Sequence, residues 1–301
     1  MIPAFPQFKP IELSDKEQVE KITQKYPPYS DFNFVSMWSW DIKGEMRLSI
    51  LNGNLVVRFT DYLTGEPFFS FIGDNEINNT AEILLQLSKK EGLGSILKMV
   101  PEHSIKNLDT TKFKIEDDRD HFDYIYNISE LKNFPGGKFA RKRNEVSNFL
   151  KKYPEAEAKI IDLKDKNVDA SIVNLFLEWI KVKISKEGVY ESHEEVAVDR
   201  LLLAVDICNF LCVGVFVDSK LIGFLINEPL EGEYVLAHAS KTNKTFSGIN
   251  GFLMNKNGEF LDSIGKKLFN YEQDLGMENL RDAKTRFRPT LFLKKYQLTY
   301  N

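Results

Sequence analysis

Reactive side chains are scarce in this sequence. Its 301 residues include two cysteines, four histidines and three tryptophans. So few cysteines exclude a disulfide scaffold. Cys208 and Cys212 lie in the apolar run ICNFLCVGVFV, where a CxxxC reads as two small core residues in a reducing compartment. No cluster has metal-ligand spacing, no HExxH occurs and no Ser-His-Asp order is present, so covalent and metal-assisted mechanisms have no support. An excess of one charge is also missing. Forty basic residues against 44 acidic ones leave a net charge of −4, so any nucleic-acid contact must rest on local patches. Long apolar runs are absent as well. The longest, 201–217, is interrupted by Asp206 and Asn209 and is too short to cross a bilayer. The opening MIPAFPQFKP has no signal-peptide pattern, so a cytoplasmic protein is expected.

What the chain does hold is paired charge near its end. Residues 267–295, KLFNYEQDLGMENLRDAKTRFRPTLFLKK, read as strand, turn, helix and strand. A strand here places Asn270, Glu272 and Asp274 on one face, with the carboxylates about 7 Å apart. A helix over 277–287 buries Leu280, Ala283 and Phe287 and leaves Arg281 and Lys284 together elsewhere. Acidic strand end and basic helix form either an active site or a structural ion-pair network.

A second charged segment, KFARKRNEVSNFLKKY (138–153), follows Pro135-Gly136-Gly137 and carries six basic residues against Glu145. Helical projection puts Phe139, Val146, Leu150 and Tyr153 on one stripe, with Arg143 inside it. A guanidinium there must snorkel, pair with an acid or meet an anion. Arg141, Lys142, Arg143 and Asn144 are therefore either a solvated face or a phosphate- or RNA-binding one. Asn52-Gly53 marks a hairpin between 47–51 and 55–60. Ser14 and Glu17 have the spacing of a capping box. The aromatic run YSDFNFVSMWSW (29–40) is either core or a stacking surface. Ile11-Glu12-Leu13 and Ile161-Asp162-Leu163 each lead into a helix, half a chain apart, which favours two copies of an α/β unit.

In the second half the expected order is two helices, three antiparallel strands, helix, strand, helix, strand, the order of an acetyltransferase fold of the Gcn5-related (GNAT) type. The segments FPQFKPIELSDKE, PPYSDFNFVSMWSW, GGKFARKRNEVSNFLKKYP and NYEQDLGMENLRDAKTRFRPTLFLKKY together resemble a bacterial family similar to the C-terminal catalytic domain of phosphatidylglycerol lysyltransferase. The resemblance spans essentially the whole chain. It implies an α/β (α+β) protein of two tandem GNAT-like domains, as in Fem-type aminoacyltransferases, each a mixed, mostly antiparallel sheet flanked by helices. The expected domains are 1–154, ending in the basic helix, and 155–301. The implied donor is aminoacyl-tRNA and the implied acceptor an amine or hydroxyl of a lipid headgroup, cell-wall precursor or other small molecule.

Two departures matter. Coenzyme-A-dependent members of the fold hold pyrophosphate with an Arg/Gln-x-x-Gly-x-Gly/Ala loop, but Thr245-Phe246-Ser247-Gly248-Ile249-Asn250 keeps only the first glycine. Acyl-coenzyme A is therefore the alternative donor. The lysyltransferase carries a membrane-spanning region, and no such segment is read here. Transfer needs a base for the acceptor and stabilisation of the ester oxyanion. Glu272, Asp274 and His238 are the candidate bases; Arg281 and Lys284 could hold a phosphate or the oxyanion. Arg141, Lys142, Arg143 and Asn144 could bind the tRNA end. His238 and the acidic-basic pair retain structural readings too. A non-catalytic binding protein for RNA or a phosphorylated ligand is the remaining alternative.

Overall fold

A computed structural model describes residues 1–187 and 193–301. Among them are fourteen strands: β1 Lys9–Pro10, β2 Arg47–Leu51, β3 Asn54–Thr60, β4 Pro67–Ile72, β5 Ile96–Pro101, β6 Phe113–Asp117, β7 Asp123–Asn127, β8 Glu157–Ile161, β9 Leu211–Val217, β10 Lys220–Pro229, β11 Tyr234–Thr242, β12 Leu268–Asn270, β13 Leu291–Leu293 and β14 Lys295–Tyr300. The fold is mixed α/β, with two mostly antiparallel seven-stranded sheets flanked by helices. By contacts the chain divides into Met1–Tyr124 with Gln273–Asp282 and Phe292–Asn301, and Ile125–Glu272 with Ala283–Leu291. This division puts the basic helix in the second unit, whereas the sequence expectation ends the first domain at 154. It also returns two C-terminal segments to the first unit.

The first sheet runs β1-β2-β3-β4-β5-β14-β6. Strands β1 to β4 are antiparallel, and β4 meets β5 in parallel through the single pair Phe69–Leu97. The β2–β3 hairpin turns at Asn52 and Gly53, whose φ of 53° and 80° suit the two-residue turn read from the sequence. The helix Ile77–Lys90 links β4 to β5. It lays Ile77, Ala81, Leu84 and Leu85 into a core with Phe69, Phe71, Leu97 and Leu298. Each fully buried leucine there stabilises the unit by about 2 kcal/mol. Tyr29, Phe32, Phe34 and Met37 are buried, so the aromatic run is core. At the first helix the capping box is made by Glu12 and Asp15, not by Ser14 and Glu17.

Strand β14 brings Lys295 into the interior. Its ammonium is fully buried, binds Asp31 and lies 2.7 Å from Asp123. Ser30 donates to Asp123 from both its amide and its hydroxyl, and Tyr62 and Gln273 donate to Asp31. Burial pulls the Lys295 pKa down, but Asp123 and Asp31 more than reverse this and raise it.

Beside it, β5 bulges opposite β14, with Met99 at φ 53°. The Met99 amide donates to Asp118 Oδ2 (3.0 Å), while Asp118 Oδ1 takes His121 Nδ1 (2.8 Å) and Gln297 Nε2 (3.1 Å). Burial opposes the charge on both partners, yet the pair raises the His121 pKa and lowers that of Asp118.

The second sheet runs β13-β7-β12-β11-β10-β9-β8. Strands β8 to β11 are antiparallel, β11 meets β12 in parallel, and β12 is antiparallel to β7. Listed from β1 and from β8, the two sheets share their parallel and antiparallel senses through the first five pairings. The helix Ile249–Ser263 links β11 to β12, as Ile77–Lys90 links β4 to β5. It crosses the helix Ile128–Asn133 so closely that a Cβ on Gly258 would stand 2.6 Å from the Lys132 amide. The expected helix over 168–184 is Lys166–Glu187. The one expected over 191–208 is Glu194–Leu202, and Glu191 lies outside the described residues. Neither Cys208 nor Cys212 is in a disulfide, and burial pushes Cys212 far above its ordinary pKa.

Replacing Lys295 with Met should cost about 3–5 kcal/mol in urea unfolding, because it leaves two buried carboxylates without their cation. The Asp118–His121 pair makes stability depend on pH. A raised histidine pKa gives stability that is full below 6.5 and fades as pH climbs through the folded value. A lowered aspartate pKa gives stability that is full above 3.8 and fades below it. Urea midpoints should therefore fall between pH 6 and pH 9 in the native sequence, and His121→Gln should flatten that slope.

Candidate functional site

The site is built on β11 in the second unit. Strand β12 pairs with β11 only through Tyr234–Leu268, Val235–Phe269 and Leu236–Asn270, and then leaves it. Beyond Leu236, β11 continues to Thr242 paired with β10. The register on that side slips once. Ile226 faces Ala239 and Asn227 faces Ala237, so one step on β10 spans two on β11, and His238 is the extra residue. A bulge of this kind re-aims a side chain and interrupts the ladder where it occurs.

The re-aimed imidazole meets Glu228. His238 Nε2 lies 3.0 Å from Glu228 Oε2, with both side chains buried. A carboxylate at this distance accepts from Nε2, so the ring carries a proton on that nitrogen. The ring edge packs against Phe210. Further along β11, Lys241 binds Glu194 (2.5 Å) and sits 4.0 Å from the Trp179 ring centre. Past β12, Tyr271 stacks on Phe269, and desolvation raises its pKa against a hydrogen bond from Ser240. Of the candidate bases, His238 alone is held in a carboxylate–imidazole pair on this strand.

The expected acidic strand does not form. Strand β12 ends at Asn270, whose side chain accepts from the Glu272 amide, and Glu272 (φ 53°) and Leu275 (φ 54°) turn the chain. Glu272 and Asp274 therefore do not share a strand face, because an Asn-led turn replaces the extended backbone. The helix expected over 277–287 is Glu278–Thr285.

Asp274 belongs to the ion-pair network. Within the first unit it is fully buried and accepts from Tyr124 Oη (2.5 Å), Arg281 Nε (2.9 Å), Arg281 Nη2 (2.8 Å), the Gly276 amide (2.9 Å) and Arg119 Nη1 (3.3 Å). Burial alone would raise its pKa. The bonds from Arg281, Tyr124 and Gly276 outweigh that and lower it. Arg281 is held upward by Asp274 and Asp120. Both oxygens are committed to donors, which is poor geometry for a base. Lys284 is not beside Arg281 in function either. In the second unit its ammonium binds the Tyr271 carbonyl and lies 4.6 Å from that ring's centre.

The basic helix is Ala140–Lys152, and its expected stripe is corrected. Phe149 and Lys142 are buried, while Leu150 is exposed. Lys142 bonds Glu145 (2.8 Å) and lies 4.1 Å from the Phe287 ring centre. Arg143 donates to the carbonyls of Phe134 (2.5 Å) and Gly136 (2.7 Å), so it caps the end of the Ile128–Asn133 helix. Arg141, largely exposed, is 3.6 Å from Glu145, and Asn144 is exposed. An open groove of about 490 Å3 runs beside Arg143, Val146, Leu150 and Lys151. The face is shifted because Ile249–Ser263 packs on it: a Cβ on Gly248 would meet the Glu145 carbonyl at 2.7 Å. Gly248 is thus required by a helix crossing.

Among the described residues no helix is long and apolar enough to cross a membrane, and no three His, Cys, Asp or Glu side chains converge as metal ligands. Asp118, His121, Lys295 and Asp31 were not legible as a cluster; the spacing Asp-x-x-His in DRDHFD was the available signal. Asp274→Ala should destabilise the protein by about 3 kcal/mol in urea, since it strands Arg119 and Tyr124 beside a cavity. Retention of the native midpoint would remove the network assignment.

Comparison with known proteins agrees with this fold. No curated protein sequence matches the chain. A conserved protein of unknown function from Bacteroides thetaiotaomicron VPI-5482 superposes with a TM-score of 0.82 at 25% identity, covering 100% of both chains. The structure of L-PGS from Bacillus licheniformis gives 0.61 at 13% identity, over 95% of this chain and 91% of that one. A GNAT-family acetyltransferase from Colwellia psychrerythraea gives 0.50 at 10% identity, over 98% and 99%. The last two speak to fold alone. The profile of the family described as phosphatidylglycerol lysyltransferase, C-terminal, matches residues 23–299, and this chain belongs to that family of transferases.

Proposed function

We propose that this chain is an aminoacyltransferase of two tandem GNAT-like domains. It takes an aminoacyl group from aminoacyl-tRNA and passes it to a hydroxyl or amine of a lipid headgroup or other small acceptor. Family membership supports an acyltransferase. The two matching sheet orders favour duplication of one unit. The observation that carries the chemistry is the His238–Glu228 pair at the bulge of β11, beside the point where β12 departs.

In this mechanism the acceptor's proton passes to the His238 ring as its oxygen or nitrogen attacks the ester carbonyl. Glu228 stabilises the imidazolium that forms. Collapse of the tetrahedral intermediate breaks the ester bond, and the imidazolium returns the proton to the departing ribose hydroxyl. Glu272, adjacent to Tyr271, remains the second candidate base. Asp274 and Arg281 act through the fold.

Acyl-coenzyme A has less support as donor. The helix N-terminus that would hold its pyrophosphate faces Glu145, whose Oε2 would lie 3.2 Å from a Cβ on Gly251. A purely RNA-binding role for the basic helix has less support too, since Lys142 and Arg143 are engaged within the protein.

The test offers the purified chain a pool of tRNA carrying labelled amino acids, with phosphatidylglycerol vesicles or soluble amines as acceptors. Label should move to one acceptor class, and His238→Gln should slow it by about 10²-fold or more. Transfer from acetyl-coenzyme A but not from the tRNA pool would contradict the donor. An unchanged rate in His238→Gln would contradict the base.

A further inference from the structure

The bulge that aims His238 is backed by two buried amides. Asn227 lies opposite the bulge on β10, and Asn257 lies on the helix Ile249–Ser263; both are fully buried. Asn227 Nδ2 donates to Asn257 Oδ1 (2.9 Å), to the Leu211 carbonyl on β9 (3.0 Å) and more weakly to the Leu225 carbonyl (3.4 Å). One side chain thus ties β10, the strand facing the bulge, to β9 and to the helix behind it. Two polar atoms of the pair, Asn227 Oδ1 and Asn257 Nδ2, are buried without a hydrogen-bond partner. One is an acceptor and the other a donor. Flipping either amide alone would oppose like atoms, and flipping both would still leave one donor and one acceptor over while taking the donor from the Leu211 carbonyl. Two buried orphans of this kind are costly, and one bridging water would satisfy both.

We propose that Asn227 and Asn257 are positioning residues for His238, and that they bind one structural water between Asn227 Oδ1 and Asn257 Nδ2. The amide–water clamp fixes the register slip between Ile226 and Asn227 and hence the direction of the imidazole toward Glu228. This assignment rests on the reading of His238 as base, but its main test does not use substrate.

The test compares Asn227→Leu/Asn257→Leu with Asn257→Ser. Replacing both amides by apolar groups of similar shape removes the two orphans together and takes one donor from the Leu211 carbonyl, so the double variant should still unfold cooperatively, at a urea midpoint only modestly below the native one. Its His238 ring signals, followed by NMR over pH without substrate, should titrate with a displaced midpoint. Aminoacyl transfer should fall by about tenfold in kcat with KM unchanged. Asn257→Ser keeps an acceptor and leaves room for a second water, so it should titrate as the native protein does. A crystal structure with ordered solvent should place one water within hydrogen-bond reach of both orphan atoms. A native His238 titration in the double variant would overturn the positioning role. An equal displacement in Asn257→Ser would overturn it as well, and a dry amide pair would overturn the water site.

Discussion

The first unit depends on a lysine placed where lysines are seldom tolerated. Lys295 is fully buried, and a buried ammonium persists only if carboxylates face it at contact distance. Asp31 and Asp123 do so, and both are held in turn by Ser30, Tyr62 and Gln273. These residues come from far apart in the sequence. The ion cluster joins the last strand, which enters the sheet between β5 and β6, to Asp31 and Asp123. With β14 in place, Gln297 can reach Asp118, and Asp118 can hold both the bulged Met99 and His121.

The second unit uses a bulge for a different end. Its sheet has the strand order of the first, with β7 in the place that β14 takes there. The parallel partner of β11 stops after three residues, and the slip against β10 falls two residues beyond that point. An imidazole paired with a carboxylate is thereby set on a strand whose outer edge is no longer held by β12. In the proposed mechanism this is the site of proton transfer, and the amides of Asn227 and Asn257 keep the strand from relaxing into regular pairing.

How much of this was legible in the sequence varies with the range of the interaction. The β2–β3 hairpin was readable because Asn52-Gly53 is local turn chemistry. Strands β9 to β11 and the helix Ile249–Ser263 followed from periodicity. The reading of 268–274 as one strand failed because Asn270 satisfies the Glu272 amide and bends the chain, a competition that alternation does not reveal. Asp274 and Arg281 were singled out correctly as partners in charge, but their roles depend on Tyr124 and Arg119, more than a hundred residues away. The stripe on the basic helix was misplaced because the helix packs through Glu145 and Phe149 against glycines of another helix. Arg143, read as an anomaly on an apolar face, caps carbonyls that no sequence pattern exposes. His238 was identified as a candidate, while the register slip that aims it depends on pairing with β10.

In the proposed mechanism His238, held by Glu228, is the base of an aminoacyl transfer. The most direct measurement is the pH dependence of single-turnover transfer from aminoacyl-tRNA, for the native chain and for His238→Gln. The native chain should show a rate that climbs with pH, and the variant a slow, flat profile. The same rising limb in both proteins would contradict the mechanism.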